Sequence, residues 1–177
     1  MEETRIPEVM PSVIGRVRAA PSEDDKPQFS MELMTFSSRK DLDRTWEIIK
    51  PYVKELADSS AGEYDLYSVY LDIFSGRSQL YMGQLIERDG SKTFVGYVLM
   101  RLDAGACHLW QVYILEKYRR TNILQMGAEF IEKEVRNIGS KYITFSTIRE
   151  WGDAIEKMGF QRTYTLYRKE LKPDQKG

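Results

Sequence analysis

A chain of 177 residues is long enough to bury a substantial core in one domain. Apolar residues at 42% and charged residues at 30% match a soluble globular protein, and a net charge of −1 lacks the cationic excess of a nucleic-acid module. The single cysteine, Cys107, excludes an internal disulfide, and with one histidine, His108, no zinc ligand set can be assembled. No apolar run is long enough to span a membrane, and the acidic start MEETR lacks the form of a secretory signal. The expectation is a protein made in the cytoplasm that binds neither metal nor nucleic acid.

Residues 1–30 differ from the rest. They hold Pro7, Pro11, Pro21 and Pro27 and the acidic run SEDDK at 22–26, and only Val13–Val17 has the pattern of a strand. Such a segment buries too little to fold by itself and reads as an extended arm that packs on a protein partner. A compact domain follows over 31–171, with a solvated tail at 172–177.

MELMTFS at 31–37 reads as a strand, after which Ser38 caps a helix with Leu42, Trp46, Ile49, Val53 and Leu56 at helical spacing. Pro51 is expected to kink or restart it. YDLYSVYLDIF at 64–74 has Leu66, Val69, Tyr70 and Ile73 on one helical face, ended by Gly76. Extended runs at 79–87 and 93–102 flank an Asp-Gly hairpin signal, and a third follows at 104–115, giving an antiparallel meander. The stretch 122–138 is a helix with Leu124, Ala128, Ile131, Val135 and Ile138 as its apolar stripe, stopped by Gly139. A strand at 141–148, a short helix at 151–159 and a last strand at 160–171 complete the domain.

Between the third run and the long helix lies EKYRRTNILQMG, with Lys117, Arg119 and Arg120 leading into Asn122. Cations beside a helix N-terminus offer an anion site; their other reading is a solvated strand end, paired with Glu116 and Glu129. Asn122 can take left-handed geometry or cap the helix.

This order of elements, together with ILEKYR at 114–119 and IEKMGF at 155–160, resembles the GCN5-related N-acetyltransferase (GNAT) family over residues 31–171. The resemblance implies an α/β (α+β) fold: a mixed, mostly antiparallel central sheet flanked by helices, here with an N-terminal arm. It also implies that acetyl-coenzyme A would lie against Ile114, Arg119, Arg120, Thr121, Asn122, Ile123 and Leu124. The family's loop has glycine where Asn122 and Leu124 stand, and Leu124 is expected to turn into the core. The family's acid tyrosine falls on Ile155, and its frequent asparagine on Ile148, so neither role is filled. Tyr164 and Tyr167 are substitutes for the acid, and His108 is the candidate base, expected to share a strand face with Trp110, Val112 and Ile114. Asp103 reads as a solvated turn residue and Cys107 as a buried apolar one. The aromatics Trp46, Tyr64, Tyr67, Tyr70 and Trp110 read mainly as core.

Three functions follow. The first is a GNAT-fold protein without catalysis, needing no cofactor, that serves as a binding or assembly component. The second is an active N-acetyltransferase using acetyl-coenzyme A. The third is an acyl-coenzyme A binder without turnover. The closing helix–Gly–aromatic–strand region is also similar to an acetyltransferase-like internal virion protein of short-tailed bacteriophages, which implies virion association for the first function.

Overall fold

The computed structural model describes residues 27–60, 63–103, 105–146 and 153–163. They divide into two compact units after Ser146. Most of the arm, Ile148, Tyr164, Tyr167, the greater part of the expected last strand and the tail lie outside the described residues.

The first unit contains β1 (Gln28–Leu33), α1 (Arg39–Ser59), α2 (Leu66–Phe74), β2 (Gln79–Ile86), β3 (Lys92–Asp103), β4 (Ala106–Ile114), a single 3₁₀ turn (Glu116–Tyr118), α3 (Ile123–Asn137) and β5 (Tyr142–Phe145). The sheet runs β1-β2-β3-β4-β5, antiparallel except for the β4–β5 pair. That pair is parallel because α3 crosses over between its strands. The second unit contributes the described helix α4 (Asp153–Lys157), followed by Gly159 at φ 83°. Phe160–Thr163 are not in a strand.

Local chemistry sets the element ends. Ser38 accepts from the Asp41 N–H at the start of α1, and Asp65 and Ser68 form a reciprocal capping box on α2. Gly90, at φ 81°, makes the β2–β3 turn that the Asp-Gly pair signals. Strand β1 starts at Gln28, inside the stretch read as arm, and ends at Leu33, earlier than expected. The reason is the next turn: Ser37 and Ser38 both donate to the Asp41 carboxylate (2.7 and 2.8 Å), drawing the chain into α1. Helix α1 runs unbroken through Pro51, correcting the expected restart. Pro51 lies on the exposed side, so water can satisfy the carbonyl left without its helical donor.

Two apolar layers cover the sheet. On one face Leu42, Trp46, Ile49 and Val53 of α1 and Val69 and Ile73 of α2 pack on Leu80, Met82, Phe94, Tyr97, Leu99 and Tyr113. On the other, Ile131 and Val135 of α3 pack on Tyr81, Val98, Met100 and Cys107. The stripe of α3 is displaced from the expected one: Ile123, Ile131 and Val135 are buried, Leu124 is half-buried and Ile138 is 46% exposed. Gly127 falls on the true stripe, where a Cβ would meet Met31 and Phe29 of β1. A glycine carries no hydrophobic signal, so the spacing pointed one residue away.

Gly96 is where β3 and β4 approach most closely. A Cβ there would overlap the carbonyl oxygen of Tyr113 and stand 3.1 Å from Ile114 Cα, both backbone atoms. Gly96→Ala is therefore expected to destabilise the fold by at least the ~1–3 kcal/mol typical of overpacking. The midpoint of urea unfolding, followed by circular dichroism, checks this; an unchanged midpoint would show that the strands can separate at little cost.

Candidate functional site

Strand β4 carries one residue too many for its partner. Leu99 faces Gln111 while Met100 faces Leu109, which leaves Trp110 as a bulge. Bulges flip the side-chain phase and increase local twist. Cys107 and Tyr113 are both odd-numbered, yet they belong to opposite core layers. The expected common face of His108, Trp110, Val112 and Ile114 is thus corrected: Val112, partly exposed, has changed sides. Next to the bulge, pairing with β5 stops. Ala106–Leu109 pair with Tyr142–Phe145, whereas Trp110–Ile114 have no strand on that side among the described residues. A crevice at the carboxyl ends of adjacent parallel strands is the usual ligand position in α/β sheets. The last pair is Leu109 with Phe145, so His108, paired with Thr144, lies one residue before the two strands part.

The basic loop closes the end of β4 by successive tight turns, with Tyr118 N–H donating to Leu115 O, Arg119 to Glu116 and Thr121 to Tyr118. Asn122 has φ −73° and makes no side-chain cap, so neither role expected of it is realised. Thr121 takes the capping part: its Oγ1 accepts from the Ile123 N–H at 3.3 Å. Arg119 turns back along β4, donating to Ile114 O at 2.9 Å and pairing with Glu55 of α1 at 3.5 Å rather than with Glu116 or Glu129. Glu55 also accepts from the Tyr113 hydroxyl at 2.6 Å. Lys117 lies over the Tyr118 ring at 5.0 Å. Arg120 is exposed and makes no ion pair among the described residues. Of the residues expected at a phosphate, Ile123 rather than Leu124 is buried.

A second polar group sits where β3 ends and β4 begins. Asp72, on the buried face of α2 and only 6% exposed, binds Arg101 through Oδ2 and Arg77 through Oδ1, the latter at 2.8 Å. Arg101 donates from Nε to Ser78 Oγ (3.1 Å) and lies over the Trp110 ring at 3.2 Å. It is the direct cross-strand partner of His108. His108 Nδ1 lies 3.0 Å from Thr144 Oγ1, and burial, followed by the charge of Arg101, pulls its pKa below 6.5 against a weaker opposing effect of Asp103. The imidazole is therefore neutral at pH 7 and free to accept a proton. Asp72, Arg77, Arg101, Leu102, Asp103 and His108 line an open depression of about 360 Å³.

The structure thus brings His108 and Asp103 to one depression and keeps the loop residues at the other end of β4. Cys107 is fully buried beside Met100, as expected. Tyr67, expected in the core, is 71% exposed. Glu55, Asp72 and Arg101 escaped the sequence reading. Asp72 alone left a sign there, as a carboxylate between Val69 and Ile73 on an apolar helical face. Among the described residues no acidic, histidine or cysteine cluster suits a metal, and no helix is long and apolar enough to cross a membrane.

No family model matches the chain, and no curated protein matches it. Solved structures do. A ribosomal-protein-alanine N-acetyltransferase from Brucella melitensis biovar Abortus 2308 superposes with a TM-score of 0.59 at 13% identity, covering 82% of this chain and 100% of that one. An acetyltransferase from Trypanosoma brucei gives 0.54 at 14% identity over 81% and 100% of the two chains. AAC(6')-Iy, solved with a bisubstrate analog, CoA-S-monomethyl-acetylneamine, gives 0.53 at 14% identity over 81% and 99%. The chain therefore has the GNAT acetyltransferase fold. All three are acetyltransferases by name.

Tyr113 supplies a test of the clamp between α1 and β4. Its pKa is pushed up to about 12, first by burial and then by its bond to Glu55. An acid whose folded pKa exceeds its unfolded one stabilises the fold fully below the ordinary tyrosine value of 10 and loses that stabilisation as pH rises towards 12. In Glu55→Gln one tyrosine should ionise earlier in an alkaline absorbance titration, and the alkaline loss of stability should begin at lower pH. Superimposable titrations would mean that Glu55 does not govern Tyr113.

Proposed function

We propose that the protein is an acyl-coenzyme A-dependent N-acyltransferase, with His108 as the base that takes the proton lost by the amine. The observation that carries this reading is the position of a neutral, half-buried histidine one residue before β4 leaves β5, with the unpaired edge of β4 beyond it. The residues present fit the coenzyme in their donors. The backbone of Trp110–Ile114 has no strand partner on that side among the described residues and can pair with an extended ligand, while the Gln111 amide is buried in the core with its Oε1 accepting from Tyr97. Arg120 offers charge for phosphate, and Asn122 and Leu124 offer N–H groups, those of Thr121 and Ile123 being already bound within the loop. When bound, the thioester supplies an activated acyl carbon and a thiol leaving group. Tyr164 is the proton donor that the sequence offers for that thiol.

A second reading, a GNAT-fold binding or assembly component without catalysis, draws support from Arg119 being held by Glu55 and Ile114 and from Ile155 at the tyrosine position. In that reading residues 1–30 make the contact with a protein partner.

One set of measurements separates these readings. Acetyl-coenzyme A at about 100 times its dissociation constant should stabilise the protein by ~2.7 kcal/mol in a thermal shift. Thiol release with an amine acceptor should fall by roughly 10²–10⁴ in His108→Gln while the shift persists. Because protonation disables the base, wild-type kcat/KM should decline as pH drops through a pKa below 6.5. No shift at millimolar ligand would sink the enzyme reading in favour of the second; a shift without turnover would mark a non-catalytic binder.

A further inference from the structure

We infer that the depression at the β3–β4 end is a carboxylate-binding pocket, in which Arg77 and Arg101 hold the acid of a small ligand beside His108. The two guanidiniums share one internal counter-charge. Each oxygen of Asp72 is engaged by one of them, so Asp72 fixes both in place, and Asp103 on the rim is the second carboxylate of the lining. Arg101 is further fixed by Ser78 and by the Trp110 ring, a degree of restraint that makes a guanidinium a ready receptor for a planar acid. Its Nε and one terminal nitrogen are occupied by these bonds, and its Nη1 has no acceptor among the described residues. Arg77, 69% exposed, donates from Nε to Ser75 and from Nη2 to Asp72, and its Nη1 likewise has no acceptor among the described residues.

The two guanidiniums exceed Asp72 by one charge and Asp103 offsets that excess at the rim, a balance that suits a monoanion better than a dianion. A phosphate dianion would meet the exposed Asp103 carboxylate on the rim, whereas an ammonium group on the same ligand would be favoured there. Leu102 lines the opening with an exposed apolar side chain. His108 shares the cavity and is the cross-strand neighbour of Arg101. A ligand with its acid on the arginines therefore brings an amine towards the imidazole. That step rests on the function proposed above and narrows it: the acceptor is an amine that also carries a carboxylate, such as a free amino acid.

His108 is the only histidine in the chain, so its imidazole proton resonances report this pocket alone. Sodium acetate titrated into the full chain at constant ionic strength should shift them saturably, while sodium chloride should not. Arg77→Gln should weaken the acetate response at least ten-fold, and Arg136→Gln, on the remote exposed side of α3, should leave it unchanged. Shifts that are linear, equal with chloride or indifferent to Arg77→Gln would overturn the pocket and leave Asp72 and its arginines a structural tie. Saturation by inorganic phosphate but not by acetate would overturn the carboxylate assignment. With acyl-coenzyme A present, thiol release should be faster with an amino acid than with its amide, a preference lost in Arg77→Gln. Acetate binding without any turnover would sink the acyl-transfer reading but uphold the pocket; turnover without acetate binding would do the reverse.

Discussion

The extra residue at Trp110 is the constraint on which most of this molecule depends. Without it, β4 would alternate regularly and Tyr113 would lie on the face of Cys107, under α3. With it, Trp110 and Tyr113 both reach the α1–α2 side, where Trp110 supports Arg101 and Tyr113 meets Glu55. The same irregularity coincides with the end of β4–β5 pairing, so the open edge and the repacked face have one origin. A matching bulge sits on β3, where Gly83 faces Gly96 but Gln84 faces Phe94, placing Val95 out of step. Two neighbouring irregularities let the strands twist together, and Gly96 permits the close approach that this requires.

The charged group at the other end of β4 is costly by comparison. A nearly buried carboxylate loses much of its hydration, and ion pairs in such places commonly contribute little net stability. Asp72 escapes the full cost because its partners reach solvent: Arg77 is mostly exposed and Arg101 about one-third so. Hydrophobic residues of similar volume would hold α2 to β3 at least as well. The arrangement instead orients two guanidiniums, and the charge of Arg101 adds to the effect of burial in lowering the His108 pKa. Stability alone gives no reason for that choice.

The order and type of the elements were legible because long stretches had one clear period and clear ends. The cap at Ser38, the turn at Gly90 and the stop at Gly139 all follow from local chemistry that a sequence displays directly. What failed was phase. Nothing in HLWQVYI marks Trp110 as supernumerary, since the bulge depends on how β3 and β4 register. The face of α3 was misread because Gly127 occupies a core position without a side chain. The clamp of Tyr113 on Glu55 joins residues 58 apart, and that of Arg101 on Asp72 joins residues 29 apart. Such pairs exist only once the sheet has brought α1, α2 and β4 together, so His108 was visible as a candidate while the groups that tune it were not.

The loop before α3 shows how a missing glycine changes chemistry beyond its own position. A glycine-rich loop leaves successive N–H groups pointing outward, where phosphate oxygens can approach closely. Here the chain turns by 3₁₀ bonds, and the N–H groups of Tyr118, Arg119 and Thr121 are already bound to carbonyls within the loop. The Ile123 N–H is held by Thr121. What remains for an anion is the Arg120 side chain and the next N–H groups of the first turn. An anion held mainly by one exposed guanidinium is screened by salt more strongly than one enclosed by backbone donors. In the acyltransferase reading, pairing along the open edge of β4 therefore carries a larger share of the coenzyme affinity than phosphate recognition does.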